Sequence, residues 1–458
     1  MCSDRKLSEF MVKVTPYRCL QGAVLLLLVL MLNAQYSEIL KTCVFAHDEL
    51  PFLGGFGGYL RENGRWVNFL LYDASVYLNG WLVILVNVAS FCIFSYFVFR
   101  DWLGRSNAVL CSLGTAFFPS VHLLNAWPLT SMPSFLLLAV AAILSRKSKL
   151  IPFFVIFGIL FNGVLSHCYF LLPLLFLRRE RKELVKILFL WVIGFVVGFV
   201  CAEIMTKVLT GSFIHLSGWR NPNYVRDWES FSDNFVSLAR SAYEEVCRMG
   251  GLCLCLIIGS FVIFLCRFRT QKKRELYVFA LLLAVAFSIY AQALPAGILV
   301  ATRSTLCLYF AIFVFVLFET RICRWLTPLV CLLMCGHFFY LDMQDIRYWN
   351  AMGNLWYEGL RKLGYEPSQV KGIVMLSTDK DFQEQERRWR DNLGLTPHFS
   401  SRKTVMEWAP AAKTLGFRIL DKPEEKQGKN MRGGGIDWME GGCYMHAVVD
   451  DYLFLKLR

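Results

Sequence analysis

Long apolar runs recur along the chain, separated by short basic or mixed segments. They lie at Cys19 to about Gln35, Trp81–Phe99, Asn107–His122, Thr130–Leu144, Leu150–Leu177, Ile187–Met205, Gly251–Cys266, Leu276–Tyr290, Ser304–Phe318 and Trp325–Tyr340. Runs of this length with so little charge predict membrane helices, since a half-buried strand would alternate with period two and a soluble helix would keep a polar face. The run Leu150–Leu177 has basic clusters at both ends, which predicts a chain that enters and leaves on the same side. About 28 residues at 1.5 Å each are too few for two full crossings, so a pair of short helices bending near Asn162 to His167 is expected. With that hairpin the pattern gives about eleven crossings.

Composition agrees. Of 458 residues 56% are hydrophobic and 18% charged, with a mean hydropathy of +0.46, which excludes a soluble globular chain of this size. A net charge of +13 invites a nucleic-acid reading, but the basic residues sit between the runs. They cluster at the N-terminus, Arg100/Arg105, Arg146/Lys147/Lys149, Arg178 to Lys186, Arg267 to Arg274 and Arg321/Arg324. The positive-inside rule makes these segments cytoplasmic. The first run reads as an uncleaved span, because no A-x-A-like site follows it. Most of the sixteen cysteines fall inside apolar runs, with no CxxC pair or zinc spacing, and read as small hydrophobes.

Three segments are left facing outward: Tyr36 to Asn79, Lys207 to Arg248, and Leu341 to Arg458. The expected fold is an all-α polytopic membrane protein (domain 1–341) followed by a small C-terminal α/β extramembrane domain (342–458). In that tail KGIVMLS reads as a buried strand, DFQEQERRWRDNLG as a polar helix and HAVVDDYLFLKLR as a terminal strand, with GKNMRGGGIDW a glycine-rich loop. Its tryptophans, among them Trp349, Trp356 and Trp389, read mainly as core. There is no internal repeat and no phosphate loop of the ATP-binding type.

The sharpest chemical feature is AHDELPFLGGFGGYLRENGRWVNFLLYD, just after the first span. His47, Asp48 and Glu49 stand near the membrane boundary, where charge is costly unless it is used. They read equally well as solvated interfacial charges or helix caps. An acidic pair, a glycine-containing stretch and a Gly64-Arg65-Trp66 turn after a first span resemble the serotype-converting O-antigen glucosyltransferases. Those belong to the GT-C class, which uses polyprenyl-phosphate-sugars.

The resemblance implies inverting transfer of a sugar, glucose by analogy, from a polyprenyl-phosphate donor to lipopolysaccharide O-antigen at the periplasmic face of the bacterial inner membrane. The phosphate already leaves well, so a single carboxylate suffices as base: Asp48, with Glu49 as the substitute. Arginine suits the departing phosphate, and Arg65, Arg220, Arg226 and Arg303 are the outward candidates. Sugar or acceptor contacts fall to His47, Trp66, Trp219, Tyr224, Asp227, Trp228 and His167. No metal or other cofactor is called for, and a divalent cation is left open. The second-loop residues read equally as an amphipathic helix on the membrane surface, Arg303 as a snorkelling arginine, and Asn162 and His167 as polar groups satisfying the bend. The partners expected are the lipid-linked donor, the polysaccharide acceptor and the bilayer, with no nucleic acid. An O-antigen polymerase and a transporter or flippase of lipid-linked sugars are the alternatives.

Overall fold

The structure is a computed structural model that describes residues 15–39, 58–75, 77–177, 179, 181–214, 222–321, 323, 325–377, 379–394, 409–420, 439–441, 444–449 and 451–457. Among these the chain divides into two compact units. One takes residues 15–34 and 58–340, the other residues 35–39 and those from 341 onward.

The first unit is helical. Among the described residues six helices are long and apolar enough to cross a membrane, or seven if Arg105–Phe117 and Pro119–Asn125, which meet at 61°, form one span. The chain is therefore mostly helical, with the helices of a multi-pass membrane protein. The remaining apolar helices, Pro128–Leu144, Leu150–Asn162, Ser166–Phe176 and Leu306–Thr320, are shorter than the expected eleven crossings require. The bent pair breaks at Phe118, whose extended backbone (ψ 131°) is what a following proline enforces.

The expected hairpin is present as an α-helix Leu150–Asn162 and a 3-10 helix Ser166–Phe176. Its first arm packs on the helix Arg181–Thr210 with no side chain between: a Cβ on Gly158 would lie 2.0 Å from the Gly194 carbonyl oxygen, and one on Gly198 2.0 Å from that of Gly158. The spacing Gly194-x-x-x-Gly198 is the small-residue stripe that lets membrane helices touch. Gly250–Ala293 holds two of these helices, Gly250–Phe268 and one that begins at Glu275. The chain reverses between them, because the Phe264 and Phe279 rings are 4.7 Å apart, whereas a straight helix would separate them by about 22 Å.

Contacts sort the connecting segments into two sets. Tyr17 and Gln21 bond Asn107 at 3.0 and 2.7 Å, Tyr17 packs on Trp325, and Arg146 pairs with Asp101 at 2.6 Å. Arg267 bridges Glu275 and Glu319 at 2.6 and 3.0 Å. All of these lie at or beside the segments with basic clusters. The other set, beginning with Gly64 to Trp66, meets at the far end of Leu306–Thr320.

In the second unit the helix Leu326–Lys362 supplies Tyr348, Met352 and Trp356 to a core shared with Phe382, Leu453 and Leu455. Five strands, β1 (Gly372–Met375), β2 (Ile419–Leu420), β3 (Met439–Gly441), β4 (Tyr444–Val449) and β5 (Tyr452–Leu457), form a sheet in the order β2-β1-β5-β4-β3. β1 runs parallel to β2 and β5, and the β4 pairings are antiparallel. The helix Asp379–Leu393 matches the polar helix expected there. The expected single terminal strand is instead the β4–β5 hairpin. Asp451 turns it at φ 68°, a left-handed conformation that aspartate tolerates. Trp408, Trp438 and the glycine-rich loop lie outside the described residues.

Candidate functional site

The Gly64-Arg65-Trp66 turn is built onto the hairpin bend. Gly64 has φ 74° and lies against Ile214, where a Cβ would come within 2.5 Å of Cδ1, so the position needs glycine on two counts. Arg65 then stands at the N-cap position of the short helix Trp66–Leu70, with no side-chain cap bond. The Trp66 indole lies over Gly163, where a Cβ would sit 2.6 Å from Nε1, and Val67 N donates to Gly163 O at 3.0 Å. This turn and the bend are thus one structure.

Two further segments reach the bend. Gln292 Nε2 donates to Ser166 Oγ at 3.1 Å, and the Cys307 thiol donates to the His167 carbonyl at 3.2 Å. Both the Arg65 and Arg303 guanidiniums act electrostatically on the buried His167 ring. Arg303 lies on the 3-10 turn Thr302–Ser304, its guanidinium 4.1 Å from the centroid of Trp127. His167 Nε2, Trp127 Nε1, Trp66 Nε1 and Gln292 Oε1 are shut from solvent with no hydrogen-bond partner among the described residues. Two cations, aromatic faces and open hydrogen-bonding atoms have the chemistry that an anionic, hydroxyl-bearing ligand would need.

A buried carboxylate holds the Arg303 turn. Glu245, 3% exposed, accepts from Thr302 Oγ1 (3.1 Å) and Arg248 Nη1 (3.3 Å) on one oxygen, and from Tyr309 Oη (2.9 Å) and Thr305 Oγ1 (3.4 Å) on the other. It belongs to the amphipathic helix Trp228–Arg248, which Asn234 ties to the neighbouring turn through bonds with Asn223 and Leu294 O.

Of the residues singled out from sequence, Arg65, Trp66, His167 and Arg303 come together. Asp227 caps a helix: its carboxylate accepts the Ser230 backbone N–H at 2.8 Å and the Ser230 hydroxyl at 2.7 Å in a capping box. Those bonds hold its pKa below the usual carboxylate value. Tyr224, Arg226 and Trp228 are exposed near the same helix start, with Trp228 stacked on Phe231, and no described contact brings them to the Arg65–Arg303 cluster. Asn162 donates to Gly158 O within its own helix, which satisfies the bend. His47, Asp48, Glu49, Trp219 and Arg220 lie outside the described residues.

Trp127 and Glu245 were not legible as site residues. Trp127 stands at a Trp-Pro break between apolar runs, a signal of irregular backbone at membrane depth. Glu245 sits on the buried face of a helix whose other acids are exposed, a signal visible only once that face is known. Comparison with family models, with curated proteins and with solved structures returns no match to this chain.

Proposed function

We propose that the protein is a membrane glycosyltransferase that moves a sugar, glucose by the resemblance noted above, from a polyprenyl-phosphate donor to O-antigen polysaccharide. In this reading the N-terminus and basic segments are cytoplasmic, the chain crosses the inner membrane about eleven times counting the short helices, and the C-terminal unit is periplasmic. The observation that carries the reading is that the Gly64-Arg65-Trp66 turn is bonded to the hairpin bend at Gly163, that Cys307, just after the Arg303 turn, is bonded to it at His167, and that Arg303 lies over Trp127. A lipid phosphate at this site would gain charge as it leaves, and two guanidiniums from separate segments stabilise that charge.

In the reaction an acceptor hydroxyl oxygen forms a bond to the anomeric carbon while the bond from that carbon to the phosphate oxygen breaks. The electron pair stays on the lipid phosphate and the hydroxyl proton passes to a carboxylate, assigned from sequence to Asp48, or to Glu49 in its place. The decisive experiment supplies the purified protein with polyprenyl-phosphoglucose and O-antigen acceptor. Asp48→Asn, Glu49→Gln and Arg303→Ala are then compared with wild type for release of polyprenyl phosphate. Full activity in both carboxylate variants would falsify the assigned base.

Broken helices also favour a second reading. The 61° bend at Phe118 and the two-helix hairpin are features that transporters use to line a substrate path. A transporter would move the intact glycolipid and release no lipid phosphate in the same assay.

A further inference from the structure

Next to the arginine cluster lies a second group of polar side chains that the proposed transfer does not use. Asn68, Asn87, Asn125 and Ser134 are each at most 3% exposed. Asn68 Nδ2 donates to Thr130 O at 2.9 Å, and Asn87 Nδ2 reaches Pro128 O at 3.2 Å, Ser131 Oγ at 3.2 Å and Asn125 Oδ1 at 3.3 Å. All are gathered at the start of the helix Pro128–Leu144. Ser134 follows Ser131 on the same face of that helix, and Trp127, just before it, carries Arg303 on its ring.

A carbonyl oxygen only accepts, so these bonds fix which way the Asn68 and Asn87 amides point. Their Oδ1 atoms are left without partners among the described residues, as are the donors Asn125 Nδ2 and Trp127 Nε1 and the hydroxyl of Ser134. Each such atom is costly to bury unmatched, and their concentration at one place calls for a partner from outside the chain.

The mixture of atoms identifies the partner's chemistry. A cation would be met by acceptors alone and a phosphate by donors alone. Two acceptors, two donors and a hydroxyl, with no charged side chain among them, match a neutral polyol whose hydroxyls each give and take a hydrogen bond. We propose that this cluster binds the sugar ring of the lipid-linked donor while Arg65 and Arg303 hold its phosphate, an inference that rests on the transferase reading. Asn68 stands on the five-residue helix Trp66–Leu70 and Asn125 on the seven-residue helix Pro119–Asn125. Two of the walls are therefore short elements.

The test uses the full-length protein in nanodiscs, titrated with undecaprenyl phosphate and with glucosylphosphoryl undecaprenol. Ser134→Ala and Asn125→Ser are the variants, with thermal midpoints recorded for each. The Ser134 hydroxyl has no partner among the described residues, so removing it breaks no bond seen there, and the midpoint holds or rises. Affinity for the glucosylated lipid falls about 5–10-fold in each variant, as expected for one lost hydrogen bond, while affinity for the bare lipid phosphate is unchanged. A loss that is equal for both lipids, or no loss in either variant, overturns the sugar pocket and leaves the transferase reading standing. Failure of the wild type to bind either lipid overturns the transferase reading itself.

Discussion

At the scale of single residues, the arginines give the clearest expectations. Arg303→Ala should lower the rate of sugar transfer about 100-fold, in line with removing one preorganised donor from a developing anion. Arg303→Lys should recover little, because a point charge replaces a planar group stacked on Trp127. The check is release of lipid phosphate under saturating donor.

His446 makes a separate prediction for the second unit. It is buried, with Nδ1 unmatched among the described residues, and loss of hydration pushes its pKa below the ordinary histidine value. The unfolded chain therefore binds a proton that the folded one refuses. Stability is greatest above pH about 6.5 and falls as pH drops from there toward the folded pKa. Thermal unfolding followed from pH 7.5 to 5 should show that loss, and His446→Phe should flatten it.

Sequence alone named Arg65, Trp66, His167 and Arg303 one by one. It did not bring them together, because convergence depends on which turn packs on which bend. Asp227 shows the opposite limit: among aromatic and basic neighbours it read as a sugar ligand, while its bonds are those of a helix cap.

At the scale of elements, apolar periodicity located nearly every helix, and charge at both ends of Leu150–Leu177 revealed the hairpin. What it did not reveal was the packing that fixes them. Gly158→Leu should be among the most damaging substitutions in the first unit, since even a methyl group there meets the Gly194 backbone. A loss of at least about 1–3 kcal/mol is expected from overpacking alone, measured as a lower midpoint and poor recovery of folded protein in detergent.

Glu245→Leu should cost about 1–3 kcal/mol, because it removes the buried acceptor shared by Thr302 and Tyr309, while half-exposed Arg248 can turn to water. It should also depress transfer, by loosening the turn that carries Arg303. The β4–β5 hairpin escaped the sequence reading because Val449 and Tyr452 flank an Asp-Asp pair with no glycine, the usual mark of so tight a turn.

At the scale of the whole molecule, the alternation of basic clusters predicts which connecting segments share a side, and two sets of contacts recur among those segments. Tyr17, Asn107, Asp101, Arg146, Arg267 and Glu319 make one set of contacts, while Arg65, Trp127, His167 and Arg303 make another. Reporter fusions check the sidedness: a reporter between Arg146 and Lys149 should be active only in the cytoplasm, and one after Arg458 only outside it. The reverse pattern would place the arginine cluster on the wrong side for a periplasmic acceptor.

The helix Leu306–Thr320 joins the two sets of contacts, starting beside the Arg303 turn and ending at Glu319. Its 15 residues rise only about 22 Å, against a hydrocarbon core about 30 Å thick. The helix is buried along nearly its whole length, so protein rather than lipid surrounds it, and the Arg303 turn sits short of the level that a full span would reach. In the transferase reading a lipid phosphate must descend to meet the guanidinium, and a thicker bilayer holds it farther away. Reconstitution in lipids with progressively longer acyl chains should slow the protein while leaving its fold intact.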